Sequence, residues 1–530
     1  MSSGSLSKVT SSEDLKTIPN SYIVTLRPSL TETQRKEHMQ AAFRACNAKS
    51  VPGTHDPARI TRVHRYPLNS PSPIFYVYLG RFGPDVAEKI RARTDEVESI
   101  RLEAFGTLSS YEYEPIPTPS WALSAMSHSY KNFEAQAKAA DSATVANQLA
   151  KPKYRYNAIK PKGKKVTIFI LDSGYEYKSH VDGDMMLRRH LQDRVECHDM
   201  NIISTQNALT TTNDPAVNGL PNNEVQTILD ALKESQPVPQ DRDRTDFHGT
   251  NVALCAGSSS WGSAPDAKIV TYDVCNVVKS NAGIDLGPSE GLLIDALLHI
   301  KAHPNLENSI VNCSWVLSEP QLKDGTAPAP ANDKGTLARK LFDDIVKAGA
   351  HVVASAGNVA HALLDRKSFE AQKSAWIKAK SLEVVQKGLK EVPIPFAVTD
   401  KFTDVALPSA IEGVILVGAL DRKYKRADFS TYPHPDWPPA NFFWAPGDKI
   451  IGWGKDKYMV YSGTSYAAPL FSGVVASIIA AGGNKPPARD EILTILRQRL
   501  SIRDQQTQDY KISWPAPLDP KYDSNDCNIY

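Results

Sequence analysis

Residues 461–483, Y-S-G-T-S-Y-A-A-P-L-F-S-G-V-V-A-S-I-I-A-A-G-G, constrain this chain more than any other stretch. Ala467, Ala468, Phe471, Val474, Val475, Ile478 and Ile479 recur at helical spacing, so the stretch predicts a buried helix. Gly463 permits a tight approach turn, which leaves Ser465 at the mouth of that helix. A helix N-terminus presents unpaired N–H groups and a partial positive charge, an environment suited to a developing oxyanion. The Ser465 hydroxyl is therefore a candidate nucleophile. G-T-S alone is weak evidence, because Thr and Ser are ordinary capping residues.

Three further stretches supply partners for it. The run V-T-I-F-I-L at 166–171 is apolar on both faces, which predicts a central strand of a parallel sheet covered by helices, and it ends in Asp172-Ser173-Gly174. Ligands of open α/β sheets bind beyond the carboxyl ends of strands, where Asp172 stands. His248 is one of 13 histidines, and its context, H-G-T opening a helix, singles it out. A histidine near its ordinary pKa can take a serine proton and return it to a leaving amine. A second apolar run, from His351, ends in Ala356-Gly357-Asn358.

The chain order Asp, His, Asn, Ser and the motifs D-S-G, H-G-T, A-G-N and G-T-S-x-A-A-P resemble the subtilisin-like serine proteases, peptidase S8, of the fungal proteinase K-like type. The resemblance runs from Trp121 to about Leu500. It implies an α/β fold with a mainly parallel central sheet flanked by helices. It implies that Asp172, His248 and Ser465 are a catalytic triad for a serine endopeptidase working through an acyl-enzyme, with Asn358 donating to the oxyanion. It also implies that Ser314, Trp315, Val316, Ser355 and Gly357 bind substrate. Where the family's strand exit reads S-L-G-G, this chain reads Ser314-Trp315-Val316-Leu317, and a Cβ in place of those glycines is expected to crowd an approaching peptide. Small residues before the scissile bond should be preferred. The alternative is a catalytically impaired protein of this fold that binds peptides or its own prodomain. A sedolisin-type acid peptidase is disfavoured by His248-Gly249-Thr250. Asn251 stands where the family usually has a second histidine, a change bearing on loop packing.

The remainder divides around this domain. After a Ser-rich tail at 1–17, residues 18–110 predict strand, helix, strand, helix, strand, a small α+β unit resembling the inhibitor I9-like propeptide of secreted subtilisins. A Pro-rich linker follows at 111–120, then a start at Trp121 similar to W-G-L-x-x-I-S. Within the catalytic domain, 121–504, insertions are expected at 129–152, 201–245 and 359–409, and 505–530 reads as a polar tail. The strand expected at 309–316 contains the one N-x-S/T sequon, at Asn312.

Composition excludes some classes. Hydrophobic residues make up 41% and charged residues 23% of the 530, with a net charge of +2, which gives no reason to expect nucleic acid or an anionic membrane as partner. No apolar run reads as a membrane span, 470–483 being short and Gly-rich. The expected partners are a protein or peptide substrate and the chain's own propeptide as intramolecular inhibitor, and a monomer is expected. Six dispersed cysteines read as free thiols, and no secretory signal is visible. An intracellular location, cytoplasmic or vacuolar, is the expectation, with secretion the alternative if further sequence precedes Met1. No cofactor is required and no metal ligand is assigned. Asp241, Asp243 and Asp246 suggest calcium, but the interleaved Arg242 and Arg244 favour a solvated charge cluster.

Overall fold

Alternating apolar side chains shape the N-terminal unit. Strands β1 (Thr17–Leu26), β2 (Arg59–Tyr66), β3 (Phe75–Arg81) and β4 (Val97–Ala104) form an antiparallel sheet in the order β2-β3-β1-β4. Helices α1 (Glu32–Cys46) and α2 (Pro84–Arg91) cover one face. Along β1, Tyr22 and Val24 point to Met39, Phe43, Val86 and Ile90 of that face, and Ile23 points to the other. The order β-α-β-β-α-β is a split βαβ arrangement. It contains one strand more than the sequence suggested, because β2 carries Arg59, Arg62 and Arg65 and lacks an apolar run. Two short strands follow, β5 (Thr107–Leu108) and β6 (Tyr111–Tyr113).

The larger unit is built on seven parallel strands. They are β7 (Thr167–Asp172), β8 (Val195–Asp199), β9 (Lys268–Asp273), β10 (Ser309–Cys313), β12 (His351–Ser355), β13 (Ile415–Leu420) and β14 (Phe442–Pro446), in the order β14-β13-β12-β10-β7-β9-β8. Strand β11 (Trp315–Ser318) lies outside this sheet. A hairpin of β15 (Ile450–Gly454) and β16 (Lys457–Ser462) stands before the final helices. Period-two alternation sends Ile168 and Ile170 to one face, against α3 (His248–Gly257), α6 (Thr464–Ala481) and α7 (Arg489–Arg499). It sends Phe169 and Leu171 to the other, against α4 (Glu290–Lys301) and α5 (Leu337–Lys347). Burying each of these side chains contributes roughly 1.5–3 kcal/mol. The outer side of the N-terminal sheet, through Ile23, Val77 and Leu79, joins this second core, so the small unit rests on α4 and α5.

This computed structural model describes 17–113 except 47–48, 54–56, 68–72 and 109–110, then Ala122, then 163–499 except 176–190, 192–193, 201–246, 260–261, 281–282, 319–335, 359–361, 364–405, 410, 422–424, 434–440, 455–456 and 484–485. The insertions expected at 129–152 and 201–245, most of that at 359–409, most of the 111–120 linker and the tail at 505–530 lie outside the described residues. Two expectations change. The single strand expected at 309–316 is interrupted at Ser314, where the chain leaves the parallel ladder of β10 and re-pairs as β11 in a separate three-stranded sheet. By length and composition α6 does pass as a membrane span, but 89% of it is buried inside the protein, as a core helix should be.

Candidate active site

The three triad candidates come from three elements that converge at the carboxyl end of the sheet. Asp172 is the last residue of β7, and the tight turn after it needs Gly174 at φ 81°. Helix α3 begins at His248, and an added Cβ on Gly249 would lie 2.3 Å from the Gly174 carbonyl. Only glycine there lets α3 close onto that turn. The Gly249 N–H donates to Ser173 Oγ at 3.0 Å, and His248 Nδ1 meets Asp172 Oδ1 at 2.7 Å. Asp172 Oδ1 also accepts the Ser173 N–H at 2.8 Å, so the carboxylate is fixed before it fixes the imidazole. Asp172 and His248 are both buried. Burial pushes the neighbouring Cys313 thiol well above its ordinary pKa, and the Asp172 charge adds to the effect.

Ser465 is the second residue of α6, in the first turn, where backbone N–H groups have no intrahelical acceptor. The preceding Thr464 ties this helix start to the loop after β12. Asn358 Oδ1 accepts both the Thr464 N–H at 2.9 Å and the Thr464 hydroxyl at 2.8 Å, and the Gly357 N–H donates to Thr464 Oγ1 at 3.1 Å. Two donors on one amide atom identify it as the oxygen, which fixes the orientation of Asn358. Gly357, at φ 99°, makes the turn that brings this about. The Ser465 hydroxyl donates to the Ser314 carbonyl at 2.8 Å, and Ser314 Oγ donates back to the Ser465 carbonyl at 2.8 Å.

Of the residues expected to bind substrate, Ser314 and Gly357 are thus wired into the helix start. Ser355 ends β12, buried and paired with Val417. Trp315 is placed differently from expectation, since its indole N–H donates to the Leu171 carbonyl at 2.6 Å and its side chain belongs to the core. Its main chain is paired, antiparallel, with β5 through Trp315↔Leu108 and Val316↔Thr107. The expected crowding by the Val316 Cβ therefore does not prevent a strand from adding at this edge. On the other side of Ser465, β6 pairs with β16 through Tyr111↔Ser462, Glu112↔Tyr461 and Tyr113↔Val460. The N-terminal unit consequently reaches both flanks of the site.

Tyr466, which the sequence had not singled out, packs its ring 5.6 Å from that of His248 and 5.6 Å from that of Tyr461. Asn251 bridges to β15, donating to the Trp453 carbonyl at 2.9 Å. Among the described residues no cluster of His, Cys, Asp or Glu is arranged to hold a metal.

The model of the subtilase family, peptidase S8, matches residues 163–504. Subtilisin-like protease 3 of Pseudogymnoascus destructans is 25% identical over 260 residues, 48% of each chain. Subtilisin-like protease 5 of Arthroderma benhamiae is 26% identical over 243 residues, 44% of each. The match thus spans about half the length of these relatives. The crystal structure of the epidermin leader peptide processing serine protease of Staphylococcus aureus superposes with a TM-score of 0.53 at 15% identity, covering 93% of this chain and 96% of that one, a likeness of fold.

Proposed function

The chain belongs to the subtilase family, and from that premise we propose that it is a serine endopeptidase whose triad is Asp172, His248 and Ser465. The observation that carries this reading is the buried His248–Asp172 bond of 2.7 Å, with the His248 ring 5.6 Å from that of Tyr466, the residue that follows Ser465 in the first turn of α6. Asp172 holds Nδ1 protonated, which leaves Nε2 as the base and stabilises the imidazolium when it forms. For attack, the Ser465 hydroxyl exchanges the Ser314 carbonyl for His248 Nε2 and adds to the scissile carbonyl. The oxyanion then takes the Ser465 N–H and Asn358 Nδ2, the amide end opposite the oxygen that Thr464 holds. His248 returns the proton to the leaving amine, an acyl-enzyme forms on Ser465, and water releases it by the same path in reverse.

The N-terminal unit is read as this enzyme's own inhibitor and first substrate. Two observations support it: β5 adds to β11 on one side of Ser465, and β6 adds to β16 on the other. Main-chain pairing of this kind is how an extended substrate is held. A bond cut between Leu108 and Tyr111 would lie between those two pairings.

The test of the activity is labelling by a fluorophosphonate. It should modify the cleaved protein, freed of its N-terminal unit, on Ser465 and fail on Ser465→Ala. Folded, freed protein that stays unlabelled beside a reactive serine protease would leave only the peptide-binding reading.

A further inference from the structure

Helix α6 contains a proline, Pro469, four residues after Ser465. In a regular helix the carbonyl of residue 465 accepts the N–H of residue 469. Proline has no N–H, and its ring crowds the carbonyl four residues back. The carbonyl that Pro469 cannot serve is the nucleophile's own. Ser314 Oγ donates to it at 2.8 Å from the residue that follows β10.

That hydroxyl is itself directed. Asn312 Nδ2 donates to Ser314 Oγ at 2.9 Å, and this occupies the oxygen as an acceptor and turns its proton to Ser465. Asn312 is in turn oriented by Ser472 Oγ, which donates to Asn312 Oδ1 at 3.0 Å and shares its proton with the Ala468 carbonyl at 3.0 Å. Asn312, Ser314, Ser465 and Ser472 are all fully buried. Ser472 lies two turns beyond Ser465 on α6, so the chain of bonds leaves the helix, passes through β10 and returns to the helix at the nucleophile.

We propose that Asn312 and the Ser314 hydroxyl are positioning residues that replace the hydrogen bond Pro469 withholds, fixing the backbone of Ser465. The buried side chain of Asn312 thereby acquires a role in the reaction without touching the substrate. The placement matters because Ser465 presents two groups at once, Oγ to the substrate carbon and N–H to the oxyanion. An ångström of error at such a site costs on the order of 10²-fold in rate. The inference rests on the reading of Ser465 as nucleophile, and the test separates the two.

The experiment measures peptide hydrolysis and the rate of fluorophosphonate labelling in Ser314→Ala and Asn312→Ala, each with and without Pro469→Ala. Ser314→Ala should lower kcat and labelling roughly 10- to 100-fold with KM little changed, and Asn312→Ala should do the same to a smaller degree. Pro469→Ala returns an N–H to position 469. In either background it should raise the rate by roughly 3-fold or more beyond whatever it does to the parent chain, a coupling of the size neighbouring residues show. Thermal unfolding checks that each variant is folded, and if Ser314→Ala is not, the Asn312→Ala pair makes the same comparison. Unchanged kcat in the single variants, or no extra gain from Pro469→Ala, overturns the inference. A parent chain that is never labelled removes the nucleophile reading, and the inference with it.

Discussion

Trp315 and Leu317 turn their side chains into the core on one face of β11, while Val316, also buried, turns to the opposite face, as strand alternation requires. We read that face as a wall of the substrate pocket, beside the backbone that accepts β5 as a partner strand. A wall built by valine in place of glycine should favour small residues before the scissile bond. Overfilling a packed site costs ~1–3 kcal/mol, which is roughly 10- to 100-fold in discrimination against Phe or Leu. Val316→Gly should widen acceptance without slowing the small substrates. A peptide-library profile in which the parent already favours Phe or Leu would sink the idea. At this scale Asp172, His248, Asn358 and Ser465 were legible because each stands at the end of an apolar run or the start of a helix. Thr464, Tyr466 and Asn312 were not, since their roles arise from contacts with residues more than a hundred positions away.

At the scale of elements, apolar runs marked the central strands well, and charged or interrupted strands escaped. Arginines at every third position hid β2, and Ser314, an ordinary strand residue by type, hid the break between β10 and β11. One buried element carries a latent sensitivity to acid. His351 opens β12 and is buried; desolvation, aided by the Arg489 charge, holds its pKa down to about 4 from an ordinary 6.5. Because the folded pKa lies below the unfolded one, the unfolded chain binds the proton first. Stability from keeping this imidazole neutral is complete above pH 6.5 and is lost as pH falls toward 4. The full effect is on the order of 3 kcal/mol. His351→Leu should flatten that portion of the curve, because a neutral side chain of similar size has no proton to bind. Urea midpoints measured from pH 7.5 to 4 on both proteins check this, and parallel curves would show that His351 is not the group responsible.

At the scale of the whole molecule, the seating of the N-terminal unit on α4 and α5 was outside the reach of sequence, because it depends on polar groups that pair across the two units. Arg101 makes a bidentate bond to Glu290 at 2.6 and 2.7 Å, Arg62 lies 3.1 Å from Asp295, and Tyr66 meets Asp344 and Lys301. Glu103 is the most deeply engaged. Its carboxylate, buried at the boundary, accepts from Ser21 Oγ at 2.6 Å within its own unit, and from Ser289 Oγ at 2.6 Å and the Gly291 N–H at 3.0 Å at the start of α4. It thus caps α4 from across the boundary, satisfying a first-turn N–H and meeting the positive end of the helix dipole. Removing one partner of a buried, hydrogen-bonded charge typically costs ~2–5 kcal/mol of binding, or roughly 30-fold or more in affinity. In the parent chain, once cut between Leu108 and Tyr111, the N-terminal piece should co-elute with the rest and suppress hydrolysis. In Glu103→Ala the same cut should release the piece, and activity should appear without a lag. Lys49→Ala serves as the control, since the Lys49–Asp85 pair is exposed within the N-terminal unit and contributes little. Gel filtration with intact-mass analysis of both peaks reads the outcome. If the Glu103→Ala piece stays bound and inhibitory at the same dilution as the parent's, the cap across the boundary is not what holds the two units together.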